Sequence, residues 1–163
     1  MISFIRVDDR VIHGQIVERW AKEYPCDGIV AVNNKAAKTP ILAQAYANAT
    51  DKRVYVWTVE TFLEKLHLIL ESPRSYFLIT KDPIDMATLL VDHRIQTSGV
   101  KRVVIGPCSQ RENTIFLGKN QFLTKEEGMA CQKMVKAGYT VDFALLEETA
   151  IGEWKDFKSK FGF

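Results

Sequence analysis

The sequence predicts an α/β fold in which helices cover both faces of a single open, mainly parallel sheet of six to seven strands. Short apolar runs of strand length alternate with amphipathic segments of about 10–15 residues, as in repeated strand–helix–strand units. Two of these segments open with a capping residue followed by proline. The chain has 163 residues, 47% of them hydrophobic, so we expect one domain, residues 1–163, with a sizeable core.

Each of the first four predicted strands is followed by a helical stripe. These strands are Ile2–Val7, Gly28–Val32, Val54–Thr58 and Tyr76–Thr80. Apolar residues at the spacing of one helix face follow them in the segments Ile16 to Tyr24, Ile41 to Ala49, Phe62 to Leu70 and Met86 to Leu90. Thr39-Pro40 and Asp82-Pro83 indicate helix starts, and Pro25 and Pro73 indicate helix ends.

The second half of the chain adds an antiparallel element, which we expect near the C-terminal end. Thr124 and Glu127 fit a capping box, and the helix that they start ends at Gly138. The strands predicted in this half are Arg102–Ile105, a short pair formed by Ile115–Leu117 and Gln121–Leu123, and Tyr139–Leu146.

The last residues form one more apolar stripe. Ile151, Trp154, Phe157 and Phe161 are spaced like one face of a helix, with charged residues between them. We expect this stripe to pack on the protein's own core. The alternative is a contact with a second subunit or with a partner in a membrane.

Composition excludes several classes of protein. The formal net charge of +2 gives no overall nucleic-acid signature, and no run of about 18 apolar residues predicts a transmembrane helix. The first residues lack a signal-peptide pattern, and three widely spaced cysteines suggest free thiols in a reducing, cytoplasmic environment. We expect no metal or cofactor, because His67 and His93 lack ligand partners and no Walker A or G-x-G-x-x-G motif is present.

The segment from Asp8 to Gln15 carries the most specific chemical signal. It lies between a predicted strand and a predicted helix, which is where open α/β sheets bind ligands. Backbone N–H groups at a helix start favour an anion, and His13 and Arg10 make a phosphoryl group the obvious candidate. A neutral imidazole is nucleophilic near pH 7, and its phosphoramidate can pass the group on.

Residues around this histidine have matching predicted roles. Arg10 can offer a planar fork to phosphoryl oxygens, while the amides near Gly14 and Gln15 can donate hydrogen bonds. Gly14 allows close backbone approach or a positive φ. Asp8 and Asp9 would repel a phosphate, so we expect them to orient arginines or to cap the helix.

The segment from Asp8 to Gln15, together with Arg6, closely resembles the active-site loop of the enzyme IIB component of one family of the bacterial sugar phosphotransferase system. That family handles mannose, fructose, sorbose and N-acetylgalactosamine, and the resemblance covers nearly the whole chain. It implies that His13 carries a phosphoryl group on Nδ1 and that Arg10 stabilises the transferring charge. It also implies phosphate-binding roles for Gly14, Gln15 and, less directly, Arg6.

The same resemblance implies partners. A IIA protein or domain would donate the phosphoryl group, and membrane components IIC and IID would present the sugar that receives it. The chain would then be a cytoplasmic phosphotransferase subunit at the inner face of the membrane, and a homodimer is compatible with the family. Which sugar is used is not encoded in an evident way, because the membrane components choose it.

Other loops that follow strands provide further candidates. We expect them to gather near His13, and Lys81 could add positive charge there, although a solvated lysine is as good an interpretation. Thr58 is predicted to be a helix cap. Cys108 lacks the spacing of a cysteine phosphatase and is predicted to be a free thiol. The family tends to be acidic at Asn33-Asn34-Lys35 and to carry Gly-Gly-Met near Gly106-Pro107-Cys108, so this chain departs from it there.

Two alternative functions remain open from the sequence. A binding or regulatory module would hold a phosphosugar in the same cradle without modifying His13. A small histidine phosphatase would release phosphate to water, but no second histidine or evident acid is spaced to protonate a leaving group.

Overall fold

The computed structural model describes residues 1–163 and contains nine strands. They are β1 Ile2–Val7, β2 Gly28–Val32, β3 Arg53–Trp57, β4 Tyr76–Thr80, β5 Arg102–Ile105, β6 Thr114–Gly118, β7 Gln121–Thr124, β8 Thr140–Phe143 and β9 Gly152–Glu153. Seven strands form one sheet in the order β3-β2-β4-β1-β5-β8-β9, and only β9 runs antiparallel to its neighbour. Strands β6 and β7 form a separate antiparallel hairpin. The predicted fold class is therefore confirmed.

The chain also forms seven α-helices, of which the first six lie between strands. They are α1 Gly14–Trp20, α2 Asn34–Ala37, α3 Pro40–Asn48, α4 Val59–Glu71, α5 Pro83–Ala87, α6 Lys125–Lys136 and α7 Trp154–Phe157. A π-helical turn, Thr88–Asp92, continues α5, and 3₁₀ turns occupy Glu147–Thr149 and Lys158–Phe161. Parallel strands need crossover connections because the chain must return to the end of the sheet at which the previous strand began.

The helices bury a separate apolar cluster on each face of the sheet. Helices α4, α5 and α6 contribute to the larger cluster, for example through Phe62, Met86 and Met134. Helix α1 contributes Trp20 to the smaller cluster, where its ring stacks on Phe4 of β1 with 4.7 Å between ring centroids. Alternate residues of β1 thus point to opposite faces, and Arg6 lies on the same face as Phe4.

Local start signals were predicted correctly. The side chains of Thr58, Asp82 and Thr124 each accept a hydrogen bond from the backbone N–H three residues later. Thr39 occupies the expected position before Pro40, but its hydroxyl instead donates to the carbonyl of Lys35 in α2. Helix α2 itself was not predicted, and the side chain of Asn33 caps it.

Three other predictions are wrong in detail. Helix α1 ends at Trp20 rather than Tyr24, because the N–H groups of Lys22 and Glu23 in the following turn bond to carbonyls three residues back. Ile41 is 82% exposed, because α3 packs along the edge strand β3 and buries none of its residues fully. The last parallel strand ends at Phe143 rather than Leu146.

The C-terminal stripe packs on the protein's own core, as expected. Trp154 and Phe161 are buried, and the indole Nε1 of Trp154 donates to the side chain of Gln132 in α6. The stripe is not one helix but α7 followed by a 3₁₀ turn, and Ile151 stays 40% exposed outside it.

None of the helices has both the length and the apolar character that crossing a membrane requires.

Candidate functional site

The segment from Asp8 to His13 leaves the carboxyl end of β1 between two parallel neighbours, β4 and β5. The helix after β1 covers one face of the sheet, while the helix that follows β5 and the hairpin covers the other. A crevice opens between two strands whose connections diverge in this way. The N–H groups of Asp8 and Asp9 bond to the carbonyls of Thr80 and Pro107, which tie the segment to both neighbouring strand ends.

The middle of this loop is anchored in the core. Val11 and Ile12 are buried, with 1% and 6% exposure, while the side chain of Arg10 is 43% exposed. Val11 has a φ of +60°, which is rare for a β-branched residue and costs about 1–3 kcal/mol. The turn at Val11 buries the side chains of Val11 and Ile12 and leaves Arg10 and His13 on the outer side of the loop.

A buried ion pair lies beneath the loop. Arg6 and Asp8 are each 2% exposed, and their charged groups approach to 3.5 Å. The Arg6 guanidinium also donates to the carbonyls of Ala144 and Leu145, both at 3.1 Å. Burial lowers the pKa of Arg6 and raises the pKa of Asp8, and each charge partly opposes the shift of the other. The Arg6 guanidinium therefore lies in the protein interior and does not face the crevice.

The two acidic residues of the loop orient their surroundings. Asp8 Oδ1 accepts the backbone N–H of Arg10 at 3.0 Å and lies 3.5 Å from its Nε. The Asp9 carboxylate accepts the backbone N–H of Ser109 at 2.7 Å and also its hydroxyl. Asp8 therefore orients arginines as expected, whereas the expectation is wrong for Asp9, which contacts Ser109 and no arginine. Neither carboxylate caps α1, because the residue at the N-cap position is His13.

His13 lies at the start of α1, and its imidazole ring has no hydrogen-bond partner. Its carbonyl accepts the N–H groups of Ile16 and Val17, while the N–H groups of Gly14 and Gln15 have no acceptor within the chain. The ring makes no hydrogen bond, and its Nδ1 is shielded from solvent without a partner. A Cβ on Gly14 would lie 2.2 Å from the carbonyl oxygen of Ala49, so close approach, not a positive φ, explains this glycine.

Two neighbouring depressions divide the predicted site residues. His13, Gly14 and Gln15 line one of about 890 Å³, together with residues of the turn after α3. Arg10 lines the other, of about 690 Å³, together with Ser109, Lys119 and four residues of the segment 145–151. Arg6 lines neither. Lys81 and Thr58 also lie outside both linings, so the expected gathering of strand-end loops holds only in part.

Cys108 is a poor nucleophile in this setting. Its side chain is buried, and burial raises the pKa of the thiol well above its ordinary value. The prediction of a free thiol is confirmed. The participation of residues 145–151 in the wall beside Arg10 was missed, because no local pattern reports contacts across most of the chain.

These features define a class: an open α/β protein with a histidine and an arginine on a loop at the ligand-binding edge of its sheet. Residues 2–162 match the family model described as the sorbose subfamily IIB component of the phosphotransferase system (PTS). The fructose-specific EIIB component of Bacillus subtilis (strain 168) is 34% identical over 160 residues, covering 91% of this chain and 90% of that protein. The chain therefore belongs to the sorbose-subfamily IIB components of the PTS, a family of phosphotransferases.

Solved structures agree on the fold. The IIBSor domain of the sorbose permease from Klebsiella pneumoniae superimposes with a TM-score of 0.82 at 22% identity, covering 93% of each chain. The manxB structure from Thermoanaerobacter tengcongensis gives a TM-score of 0.85 at 22% identity, covering 99% of this chain and 96% of that one. The family resemblance noted from the loop is confirmed by the match over residues 2–162 and by the relative that is 34% identical.

Proposed function

We propose that this chain is the phosphocarrier subunit of a sugar PTS and that His13 is its carrier residue. His13 accepts a phosphoryl group from a phosphohistidine on a IIA protein or domain. It then donates the group to a sugar hydroxyl presented by membrane components IIC and IID. The observation that carries this proposal is the position of His13. It lies on the loop at the crevice where the connections of neighbouring strands diverge, beside the backbone N–H groups of Gly14 and Gln15, which have no acceptor.

Arg10 stabilises the charge during transfer. The phosphoryl group brings a charge of about −1.5 to −2, and its transition state spreads negative charge over three oxygens. The Arg10 side chain is partly exposed, and Asp8 holds its backbone and its Nε from below. A guanidinium held in this way can contact the transferring group without burying it. Gly14 and Gln15 add backbone donors on the other side of His13.

In this proposal, Arg6 positions Asp8 and does not contact the phosphoryl group. Its guanidinium holds Asp8, and Asp8 in turn holds Arg10. The phosphate-binding role first considered for Arg6 is therefore replaced by a positioning role, because its charged group lies among buried carbonyls.

The choice of nitrogen requires movement of the ring. The resemblance implies Nδ1, yet this atom is shielded in the resting position. No hydrogen bond opposes a turn of the imidazole about its Cβ–Cγ bond, and such a turn would bring Nδ1 outward. We propose that the ring turns as the phosphoryl donor approaches.

The subunit works in the cytoplasm at the inner face of the membrane, where IIC and IID hold the sugar. No metal ion is needed, since positioned donors can stabilise a loose phosphoryl-transfer transition state. Contacts with both partners are transient, because a relay must release each partner after transfer.

The decisive experiment is phosphoryl transfer from the phosphorylated IIA protein to the wild type and to His13→Ala, read by intact mass and acid lability. We expect one acid-labile adduct on the wild type and none on His13→Ala. His67→Ala and His93→Ala are matched controls, because both histidines are exposed and lie away from the loop. No adduct on the wild type would favour a non-catalytic phosphosugar-binding module, and an adduct on His13→Ala would move the chemistry to another residue.

A further inference from the structure

An apolar groove lies on the outer surface between α5 and α6. It has a volume of about 620 Å³, and we call it the α5–α6 groove. Ile84 of α5, Met129 of α6 and Phe163 line it, and these residues are 43%, 54% and 44% exposed. Large apolar side chains that share one open depression indicate a surface that another protein covers.

The walls of the groove are fixed by contacts within the chain. Met86 of α5 and Met134 of α6 are buried beneath it in the larger apolar cluster. The backbone N–H of Phe163 bonds to the carbonyl of Lys158, and its ring centroid lies 6.3 Å from that of Trp154. The groove is therefore formed before any partner arrives.

Charges of opposite sign lie at the two ends of the α6 wall. Four lining residues follow one another along α6 at spacings of three, four and three residues and so share one face of the helix. They are Glu126, Met129, Lys133 and Lys136. Lys133 already pairs with Asp92 across the groove. Glu126 and Lys136 are exposed, lie about 15 Å apart along the helix axis and have no ionic partner in the chain.

We propose that the α5–α6 groove is a contact surface between two copies of this chain, related by a two-fold axis that makes their α6 helices antiparallel. In a two-fold interface the same patch serves both copies, so every contact occurs twice. An axis midway between Met129 and Lys133 places Glu126 of each copy beside Lys136 of the other. It also places Met129 of each copy against the apolar stem of Lys133 of the other.

The charge pattern selects this occupant and this direction. A parallel pair of α6 helices would set like charges against each other at both ends of the face. A partner of different sequence would need a matching face of its own, with reversed charges at the same separation, whereas a second copy already carries one. A single groove lies at the small end of specific interfaces, so we expect a weak dimer with a Kd of about 10–100 μM.

The proposed contact leaves the loop of His13 open. Helix α6 covers the face of the sheet opposite α1, and no residue of the α5–α6 groove lines either depression beside that loop. Dimer formation is therefore independent of phosphoryl transfer, and either proposal can fail while the other stands.

The test is sedimentation equilibrium of the 163-residue chain at low salt over a range of concentrations. We expect the wild type to show a monomer–dimer equilibrium. Lys136→Glu and Glu126→Lys should each raise the Kd about tenfold, because each variant sets like charges side by side at two places. The double variant restores opposite charges and should return the Kd to within about threefold of the wild-type value.

Two further variants complete the design. Met129→Lys places a charge in the apolar centre of the groove, against Lys133 of the other copy, and should also raise the Kd about tenfold. Lys22→Glu makes the same charge change as Lys136→Glu in the exposed turn after α1, on the opposite face of the sheet, and is the matched control. Circular dichroism shows whether each variant is folded.

Three outcomes overturn the proposal. A wild type that stays monomeric at about 1 mM leaves the groove to a different partner. If Lys136→Glu, Glu126→Lys and Met129→Lys dimerise as tightly as Lys22→Glu, the dimer uses another surface. If the single charge variants weaken association but the folded double variant does not restore it, the antiparallel arrangement is wrong.

Discussion

Replacing Arg6 with methionine should destabilise the protein strongly. Arg6 is 2% exposed, and its guanidinium faces Asp8, which is equally buried. Methionine fills a similar space but leaves the Asp8 carboxylate without its buried partner. It also leaves the carbonyl of Ala144 without a donor, whereas the carbonyl of Leu145 keeps the indole of Trp20.

The expected size follows from these losses. Removing one partner of a buried ion pair costs about 3–5 kcal/mol, because the other charge stays buried. The orphaned carbonyl alone would cost about 1–3 kcal/mol, and part of this overlaps with the first figure. We therefore expect Arg6→Met to lower the free energy of unfolding by about 4 kcal/mol. Urea denaturation followed by tryptophan fluorescence suits the measurement, since the guanidinium lies 5.3 Å from the ring centroid of Trp20.

A second substitution tests the reason for the loss. Asp8→Asn removes the buried negative charge while keeping an oxygen that can accept the N–H of Arg10. Burial dominates the pKa shifts of both Arg6 and Asp8, so removing both charges should restore at least about 2 kcal/mol of the single-variant loss. The reasoning is refuted if Arg6→Met costs less than about 1 kcal/mol or if the two losses simply add.

Three further predictions test other parts of the structure. Gly14→Ala places a Cβ 2.2 Å from the carbonyl oxygen of Ala49, so α1 must shift; we expect a loss of about 1–3 kcal/mol in urea denaturation and at least a tenfold lower transfer rate. Gly128→Ala places a Cβ 2.3 Å from the Phe161 ring, and should cost about 1–3 kcal/mol in the same assay while transfer at saturating donor is unchanged. Burial, with the charge of a neighbouring carboxylate, raises the pKa of Asp85 to about 6. The folded state then binds more protons than the unfolded state between pH 3.8 and about 6, so this group makes stability fall as pH rises through that window. Asp85→Asn should remove that fall and gain about 1 kcal/mol at pH 7.5, a figure reduced for partial exposure; equal pH profiles of the two proteins would contradict this.

Much of the fold could be predicted because its signals are local. The capping box of Thr124 and Glu127, and the caps at Thr58 and Asp82, depend on residues three apart in the chain. Buried parallel strands are nearly continuous apolar runs, so they are visible without knowledge of their neighbours. The failures at α1 and at Ile41 concern helix ends and edge positions, where tertiary packing decides how far a helix continues and what it covers.

The residues of the candidate site also divide into those that local sequence predicts and those that depend on tertiary packing. His13, Arg10, Gly14 and Gln15 lie within six consecutive residues, so their order after a strand and before a helix was enough to select them. Their chemistry follows from residue type, and the family follows from the loop and was then shown by the match over residues 2–162. The sequence by itself thus determined the fold class, the family and the segment that carries the candidate chemistry.

Only the tertiary structure decided what surrounds that segment. The Arg6 guanidinium donates to the carbonyl of Ala144, 138 positions away in the chain, and this contact holds Arg6 away from the crevice. The depression beside Arg10 likewise combines residues of the loop, the hairpin tip and the segment 145–151. No local periodicity encodes such contacts, because they depend on the order of strands in the sheet and on which buried polar groups find partners there.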